Sequence, residues 1–239
     1  MDINTNTIVG DIVRSNFKTA QLFEKNNIDF CCGGGISVAE ACKNANIDPK
    51  QLLPEIEQVL QVSDPDSRYI EELELDELAN YIVKRHHSFV TENIPFLKQK
   101  LQKLCDVHGE NHPELFEVNK LFCEAAGNLT MHMQKEEMIL FPYVRNMVKQ
   151  KQGGPKTTQL GNVLGPIEVM NLEHQAEGER FEKMNSLTNN FTAPADGCNT
   201  YQVTFKTLQD FEQDLHRHIH LESNVLFKKA IELEKELTA

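Results

Sequence analysis

Several residue types are scarce in this 239-residue sequence, and each scarcity excludes a class of protein. Tryptophan is absent, and there are only nine prolines and twelve glycines. So little proline and glycine excludes a collagen-like or low-complexity chain, while 40% apolar residues are enough to form a core. No apolar run approaches the roughly 20 residues that a membrane-spanning helix needs. We therefore predict a globular chain without a membrane-embedded segment.

Basic residues are also scarce, with 24 Lys and Arg against 36 Asp and Glu, which gives a net charge of −12. Such a chain repels phosphate backbones and anionic lipid headgroups, so neither nucleic acid nor a membrane is an expected partner. The six cysteines are too scattered for a disulfide-stabilised secreted scaffold. The N-terminus lacks a basic segment followed by an apolar one, so no signal peptide is expected. These features predict a cytoplasmic location.

Helical periodicity runs through nearly the whole sequence, and the alternation typical of strands is missing. We therefore predict an all-α protein. A polar, proline-containing segment at 63–67 separates a small N-terminal helical domain, residues 1–62, from a larger domain, residues 67–239. Four amphipathic patterns follow in the larger domain, over residues 71–106, 113–150, 166–189 and 200–237. Four such helices in series predict an up-down four-helix bundle.

An internal repeat relates the second and fourth of these helices. The pattern His-x-x-x-Glu-x-x-x-Leu-Phe begins at His132 and again at His218. Its spacing places each histidine and its glutamate, Glu136 or Glu222, on one helix face, about one turn apart. Apolar neighbours mark that face as interior, and two buried carboxylates are very costly unless cations neutralise them. The repeat therefore predicts a metal site inside the bundle.

The first and third long helices each add one histidine on their apolar stripe, His86 and His174. His87 lies about 100° around the helix from His86 and is predicted to face away. Either histidine alone would more often be a core residue with a hydrogen-bond partner, so the metal prediction depends on the repeat. The predicted ligands are His86, His132, Glu136, His174, His218 and Glu222.

This donor set suits two divalent ions that share the two glutamates. Imidazole and carboxylate without thiolate are compatible with iron, zinc or manganese. One solvent-derived bridge would still leave a coordination position open for a small ligand. The residues alone leave the choice of metal open.

The adjacent cysteines Cys31 and Cys32, followed by three glycines, form a separate signal. Vicinal cysteines in a glycine-rich turn can be redox-active, can bind a soft metal, or can simply fill small buried positions. A disulfide between neighbouring cysteines would be strained and easily reduced. The remaining cysteines are isolated in the sequence and are predicted to be structural: Cys42, Cys105, Cys123 and Cys198.

The segment Asp29-Phe30-Cys31-Cys32-Gly33-Gly34, followed by this bundle, resembles the Repair of Iron Centers family over nearly the whole chain. The resemblance implies a ScdA-type N-terminal module and a hemerythrin-like bundle. It implies two non-haem iron ions, bridged by Glu136, by Glu222 and by an oxo or hydroxo group. It also implies a homodimer that repairs iron–sulfur clusters damaged by nitrosative or oxidative stress, with the damaged iron–sulfur proteins as partners.

Four functions stay open on the sequence. The first, which we favour, is iron donation to damaged clusters, with Cys31 and Cys32 capturing iron in transit. The second is reduction of nitric oxide at the di-iron site. The third is an oxygen- or iron-binding or sensing module, which leaves the cysteines without a role. The fourth is a metal-free bundle used for protein contacts.

Overall fold

The computed structural model describes residues 2–155 and 162–239, and nearly all of its regular structure is helical. The α-helices, in chain order from α1 to α12, are Val9–Ser15, Thr19–Lys25, Val38–Ala45, Pro49–Leu60, Pro65–Glu72, Leu75–Ile82, Ser88–His108, Glu114–Lys135, Phe141–Lys151, Leu164–Leu187, Asn199–His220 and Phe227–Thr238. Within those described ranges, strand pairing is limited to one isolated bridge, between Ile8 and Ser37. The all-α prediction is confirmed.

Local sequence signals explain where the short N-terminal helices begin. Ser37 caps α3, where its side chain accepts a hydrogen bond from the Glu40 N–H at 3.2 Å. Asp48 caps α4 in the same way, accepting from the Lys50 N–H at 2.9 Å, with Pro49 in the first turn. Both starts agree with the capping chemistry of Ser and Asp. Helix α5 begins at Pro65, inside the segment that the sequence marked as a boundary, and the domain boundary itself stays a prediction.

In residues 2–155 and 162–239, three π-helical segments interrupt the long helices, over Val83–His87, Glu136–Leu140 and Leu221–Leu226. After each segment, a backbone N–H bonds to the carbonyl five residues earlier; the Phe141 N–H, for example, bonds to the Glu136 carbonyl. A π-helical turn holds one more residue than an α-helical turn, so it changes which side chains share a face. Such turns are rare and occur frequently at functional sites.

One compact unit consists of residues 80–143 and 165–216, and it contains the four long helices α7, α8, α10 and α11. Phe211 of α11 lies at its centre. Its ring is 6.0 Å from Phe89 of α7, 5.5 Å from Phe122 of α8 and 5.6 Å from Phe181 of α10, measured between centroids. Because one aromatic ring packs against all three partner helices, this unit is a four-helix bundle, as predicted.

The other compact unit consists of residues 1–79, 144–164 and 217–239. Here α1 packs against α5 and against the π-helical segment Leu221–Leu226. The side chain of the buried Asn16 donates to the Val62 carbonyl at 2.8 Å, and the Phe17 N–H donates to Ser67 at 2.9 Å. These bonds hold the N-terminal helices together within this unit.

Among the described residues, no helix combines the length and the apolar character that crossing a bilayer requires.

Candidate metal centre

Glu136, at the start of its π-helical segment, has no exposed surface. Its carboxylate lies between two histidines of the bundle unit. Oε2 is 3.3 Å from Nε2 of His87, and Oε1 is 3.4 Å from Nε2 of His132. Neither oxygen accepts a hydrogen bond from any residue that the structure describes. A buried carboxylate without hydrogen bonds costs several kcal/mol unless a cation compensates it.

A third imidazole joins this group. Nε2 of His174 lies 3.1 Å from Nε2 of His132, and both rings are buried. His132, Glu136 and His174 each offer one ligand atom, and these atoms lie within 4.8 Å of one another. The structure therefore brings together three of the predicted ligands at a spacing that suits a shared metal ion.

Two further carboxylates hold the imidazoles in orientation. Nδ1 of His132 is 2.9 Å from Glu173, and Nδ1 of His87 is 2.7 Å from Glu137. When Nδ1 carries the proton for each bond, each Nε2 presents its lone pair towards Glu136. Lone pairs that face one another in a buried site favour a cation between them. The carboxylate–imidazole pairs are the usual outer support of a metal site.

Glu173 is held in its ionised form. Burial works to raise its pKa, but hydrogen bonds from Lys135 and His132 outweigh burial and keep the pKa below its usual value. The sequence analysis did not single out Glu173 or Glu137. A signal was available for both, because each directly adjoins a predicted ligand, His174 and Glu136 respectively.

The second copy of the repeat lies in the other compact unit. Nε2 of His218 is 2.8 Å from Oε1 of Glu222, and both residues are buried. Glu222 lies in the π-helical segment Leu221–Leu226, as Glu136 lies in its own. The predicted His-x-x-x-Glu pairs are thus both formed, each facing the interior.

His86 requires a correction. Its Nδ1 lies 3.0 Å from Asp214, and His87, which the sequence predicted to face away, is the residue next to Glu136. Both histidines are buried. The prediction assumed about 100° per residue, as in an α-helix, whereas Val83–His87 is π-helical and turns less per residue. We assign His87 to the position that the sequence gave to His86, because His87 and not His86 belongs to the groups of described residues whose ligand atoms lie within 4.8 Å of one another.

Cys31 and Cys32 lie in a turn that Asp29 organises. Oδ1 of Asp29 accepts from the Cys31 N–H at 2.8 Å and from its thiol at 3.1 Å, and Oδ2 accepts from the Gly33 N–H at 2.7 Å. The pKa of Cys31 is raised well above its usual value by its hydrogen bond with Cys32, by burial and by Asp29. Cys31 is thus a protonated thiol at neutral pH. Ligand atoms of Asp29, Cys31 and Cys32 lie within 4.8 Å of one another.

The isolated cysteines divide into two groups. Cys42 and Cys105 are buried, as structural residues would be, whereas Cys123 and Cys198 are exposed. Sγ of Cys198 lies 3.3 Å from Nε2 of His108. A hydrogen bond with the Tyr201 backbone and, to a smaller extent, the hydrogen bond with His108 lower the pKa of Cys198 to about 7. The structural prediction fits the buried Cys42 and Cys105, whereas Cys123 and Cys198 are exposed and Cys198 also has a lowered thiol pKa.

Comparison with known proteins identifies the family. The model of the hemerythrin HHE cation binding domain matches residues 78–230. The ScdA_N model, a domain of unknown function, matches residues 5–60. The chain is 32% identical over 227 residues to the iron-sulfur cluster repair protein ScdA of Staphylococcus haemolyticus, covering 95% of this chain and 99% of the relative. The chain belongs to the family of iron–sulfur cluster repair proteins that combine an ScdA_N domain with a hemerythrin HHE domain.

A second relative of the family has a different name. The iron-sulfur cluster repair protein YtfE of Yersinia pseudotuberculosis is 33% identical over 214 residues, covering 90% of this chain and 91% of its own. The hemerythrin match includes every histidine and glutamate of the predicted site, and the ScdA_N match includes the cysteine turn. Family membership confirms the resemblance seen in the sequence. It also gives the buried histidine–glutamate cluster a cation-binding role.

Proposed function

We propose that this protein repairs iron–sulfur clusters damaged by nitrosative or oxidative stress, by donating iron to the damaged proteins. The relatives that match it over nearly their whole length carry cluster repair in their names. The observation that carries the proposal is the fully buried Glu136 carboxylate, which faces two imidazole nitrogens and accepts no hydrogen bond from the described residues. The donor atoms at this position fit a divalent metal ion.

Six residues are proposed to hold two irons: His87, His132, Glu136, His174, His218 and Glu222. Glu136 and Glu222 are the proposed bridging ligands. Glu136 has one histidine beside each oxygen, so its carboxylate would serve two ions, and Glu222 is proposed for the same role from its matching place in the repeat. When bound, iron supplies the ion that a damaged cluster has lost. Imidazole and carboxylate ligands are hard enough for iron and contain no thiolate.

The chemistry of these residues favours release as well as binding. Each imidazole and each carboxylate can take up a proton, and protonation weakens its hold on a metal. Glu137 and Glu173 keep the imidazoles oriented while the site is being filled or emptied. A site built this way holds iron less tightly than a cluster of four thiolates does, so transfer runs towards the damaged cluster.

Cys31 and Cys32 are proposed to capture iron during transfer, together with the Asp29 carboxylate. The Cys31 thiol must lose its proton to bind a metal, because the thiolate is the ligand. The thiol bonds to the neighbouring Asp29 carboxylate at 3.1 Å, and its proton is released to solvent when the sulfur binds iron.

A homodimer stays our prediction for the assembly. Within the bundle unit, Leu172 is 69% exposed and Val107 is 63% exposed. Large apolar side chains that are exposed in this way often belong to protein interfaces. Light scattering on the purified protein measures the mass of the assembly directly.

Anaerobic iron transfer tests the proposed function. Iron-loaded protein is mixed with a dehydratase whose cluster nitric oxide has damaged, and the recovered dehydratase activity is compared with that from an equal amount of free ferrous iron. We expect recovery with the wild type and none with Glu136→Leu. Equal recovery with both would overturn the proposal. Nitrous oxide formed while all iron stays bound would favour nitric oxide reduction instead.

A further inference from the structure

Asn224 lies in the π-helical segment Leu221–Leu226 and is 3% exposed. Its side-chain amide nitrogen lies 3.0 Å from the Cys31 carbonyl and 3.3 Å from the Phe30 carbonyl. One buried amide therefore donates to the two carbonyls at which the cysteine turn begins. These contacts join residues that are 193 and 194 positions apart in the chain.

His220 lies beside this amide, with its Nδ1 3.3 Å from the Asn224 amide nitrogen. The imidazole ring packs against Phe17 and Phe30, with its centroid 6.0 Å from each. Because the nitrogen end of the amide faces two backbone carbonyls, the opposite orientation would place its oxygen against them and lose both bonds.

Two glycines make room for the amide. A side chain at Gly34 would place its Cβ 2.1 Å from the Phe30 carbonyl oxygen and 3.2 Å from the Asn224 nitrogen. A side chain at Gly10 would place its Cβ 2.5 Å from the Asn224 oxygen. The Gly10 N–H also donates to the Gly34 carbonyl at 2.7 Å. A side chain at either glycine would come closer than 3.0 Å to a neighbouring atom, so the chain packs closely around the amide at Gly10 and Gly34.

The first copy of the repeat provides an internal comparison. Asn224 stands six residues after His218, and the residue six positions after His132 is Met138. Met138 is 77% exposed and contributes nothing buried. The histidine–glutamate pattern thus does not itself require an asparagine at this position, and only the copy that faces the cysteine turn has one.

From these contacts we infer that Asn224 is a positioning residue for Cys31 and Cys32, fixing their turn to the helical segment that carries Glu222. The inference rests on the proposed function for its purpose, since Glu222 is a proposed iron ligand two residues away. Asn224 keeps the Cys31 thiol buried and bonded to Asp29. Loss of the amide frees the turn and exposes the thiol.

Site-resolved alkylation tests this role. Wild type and Asn224→Leu are treated with iodoacetamide at pH 8, and modification of Cys31 and Cys32 is followed by mass spectrometry of their peptide. The exposed Cys123 and Cys198 act as internal references for reagent and time. We expect Cys31 to react about tenfold faster in the variant, as two hydrogen bonds that close the turn are lost. Iron content should match that of the wild type.

A matched control is Asn128→Leu, which removes a side-chain amide bonded to Glu177 at 2.8 Å in the bundle unit. Its Cys31 rate should equal that of the wild type. Gly34→Ala should open the cysteine turn in a second way, because its Cβ would displace the Phe30 carbonyl. This variant replaces Asn224→Leu if circular dichroism shows that Asn224→Leu does not fold. Wild-type alkylation rates in a folded Asn224→Leu or Gly34→Ala protein overturn the inference.

The outcomes separate this inference from the proposed function. If Cys31 reacts faster in Asn224→Leu but the wild type fails to transfer iron, Asn224 is a positioning residue and the proposal of iron donation is wrong. If the Cys31 rate is unchanged but the wild type transfers iron normally, the proposed function stands and the role of Asn224 is wrong. If Asn224→Leu keeps its iron content but transfers less iron, the position of Cys31 and Cys32 matters for iron delivery.

Discussion

The two copies of the repeat have the same kinds of residue on their inner faces and different residues on their outer faces. On the inner face, His132 with Glu136 and His218 with Glu222 are all buried, and each glutamate lies in a π-helical segment. On the outer face, the first copy has exposed residues where the second has residues that contact Phe17, Phe30 or Cys31 of the N-terminal region. The matching pairs are Met131 and Arg217, Gln134 and His220, and Met138 and Asn224.

This difference shows that one helical pattern carries two separate functions. The inner face is set by the need to present ligands to a cation. The outer face of the second copy is set by the module that covers it: Arg217 lies 4.7 Å from the Phe17 ring, and Asn224 bonds to Cys31. The first copy, whose outer face is exposed in the part of the chain that the structure describes, carries methionine at two of these positions. Changes on the two faces should therefore have independent effects.

The largest expected effect is on the inner face, at the adjacent histidines. His87→Leu removes an imidazole beside Glu136 and should lower iron affinity at least about 100-fold, because removing even an outer-shell partner costs about 10–100-fold. His86→Leu is the matched control, and its iron content should stay near that of the wild type. Iron per chain, measured by mass spectrometry of the metal after desalting, decides between them. Retained iron in His87→Leu would contradict the placement.

The supporting carboxylates should have the next largest effect. Glu173→Gln keeps the shape but removes the charge that orients His132, and we expect iron affinity to fall about 10–100-fold. Glu168→Gln, an exposed change on the same helix, is the control and should leave affinity unchanged. Competition with a chromogenic chelator measures both affinities. Equal affinities would mean that Glu173 does not support the site.

The cysteine turn that contacts the second copy predicts a dependence of stability on pH. The pKa of Cys31 is raised in the folded protein, so the fold is favoured while this thiol keeps its proton. Its contribution to the free energy of unfolding is complete below about pH 9 and is lost as the pH rises further. Urea unfolding at pH 8 and pH 10 should show a smaller loss of stability in Cys31→Ser than in the wild type. The same loss in both proteins would rule out this assignment.

The smallest effect is expected on the uncovered outer face. Met138→Lys places a charge where the wild-type side chain is 77% exposed, and the free energy of unfolding should change by less than about 0.5 kcal/mol. Chemical denaturation of the metal-free protein measures this change. A larger loss of stability, or a change in assembly mass, would show that this face is covered by a partner, and that the two outer faces are less different than the single chain suggests.

The sequence predicted the helices and the inner faces well because both depend on local periodicity. His132, Glu136, His174, His218 and Glu222 were all placed on the interior, since their apolar neighbours at three- and four-residue spacing marked the face. The choice between His86 and His87 failed because π-helical hydrogen bonding leaves no trace in that spacing. The contact of Asn224 with the cysteine turn was beyond prediction, as it joins residues almost 200 positions apart and depends on two glycines fitting around an amide.

The wide turn at Val83–His87 lets one helix bury two neighbouring imidazoles. In a regular α-helix, adjacent side chains diverge by about 100°, so one of the two would point outward. Here His86 ties its helix to α11 through Asp214, while His87 reaches Glu136. If one residue of this turn were deleted, only one of the two imidazoles could stay buried. The helix would then lose either the contact of His86 with Asp214 or the contact of His87 with Glu136.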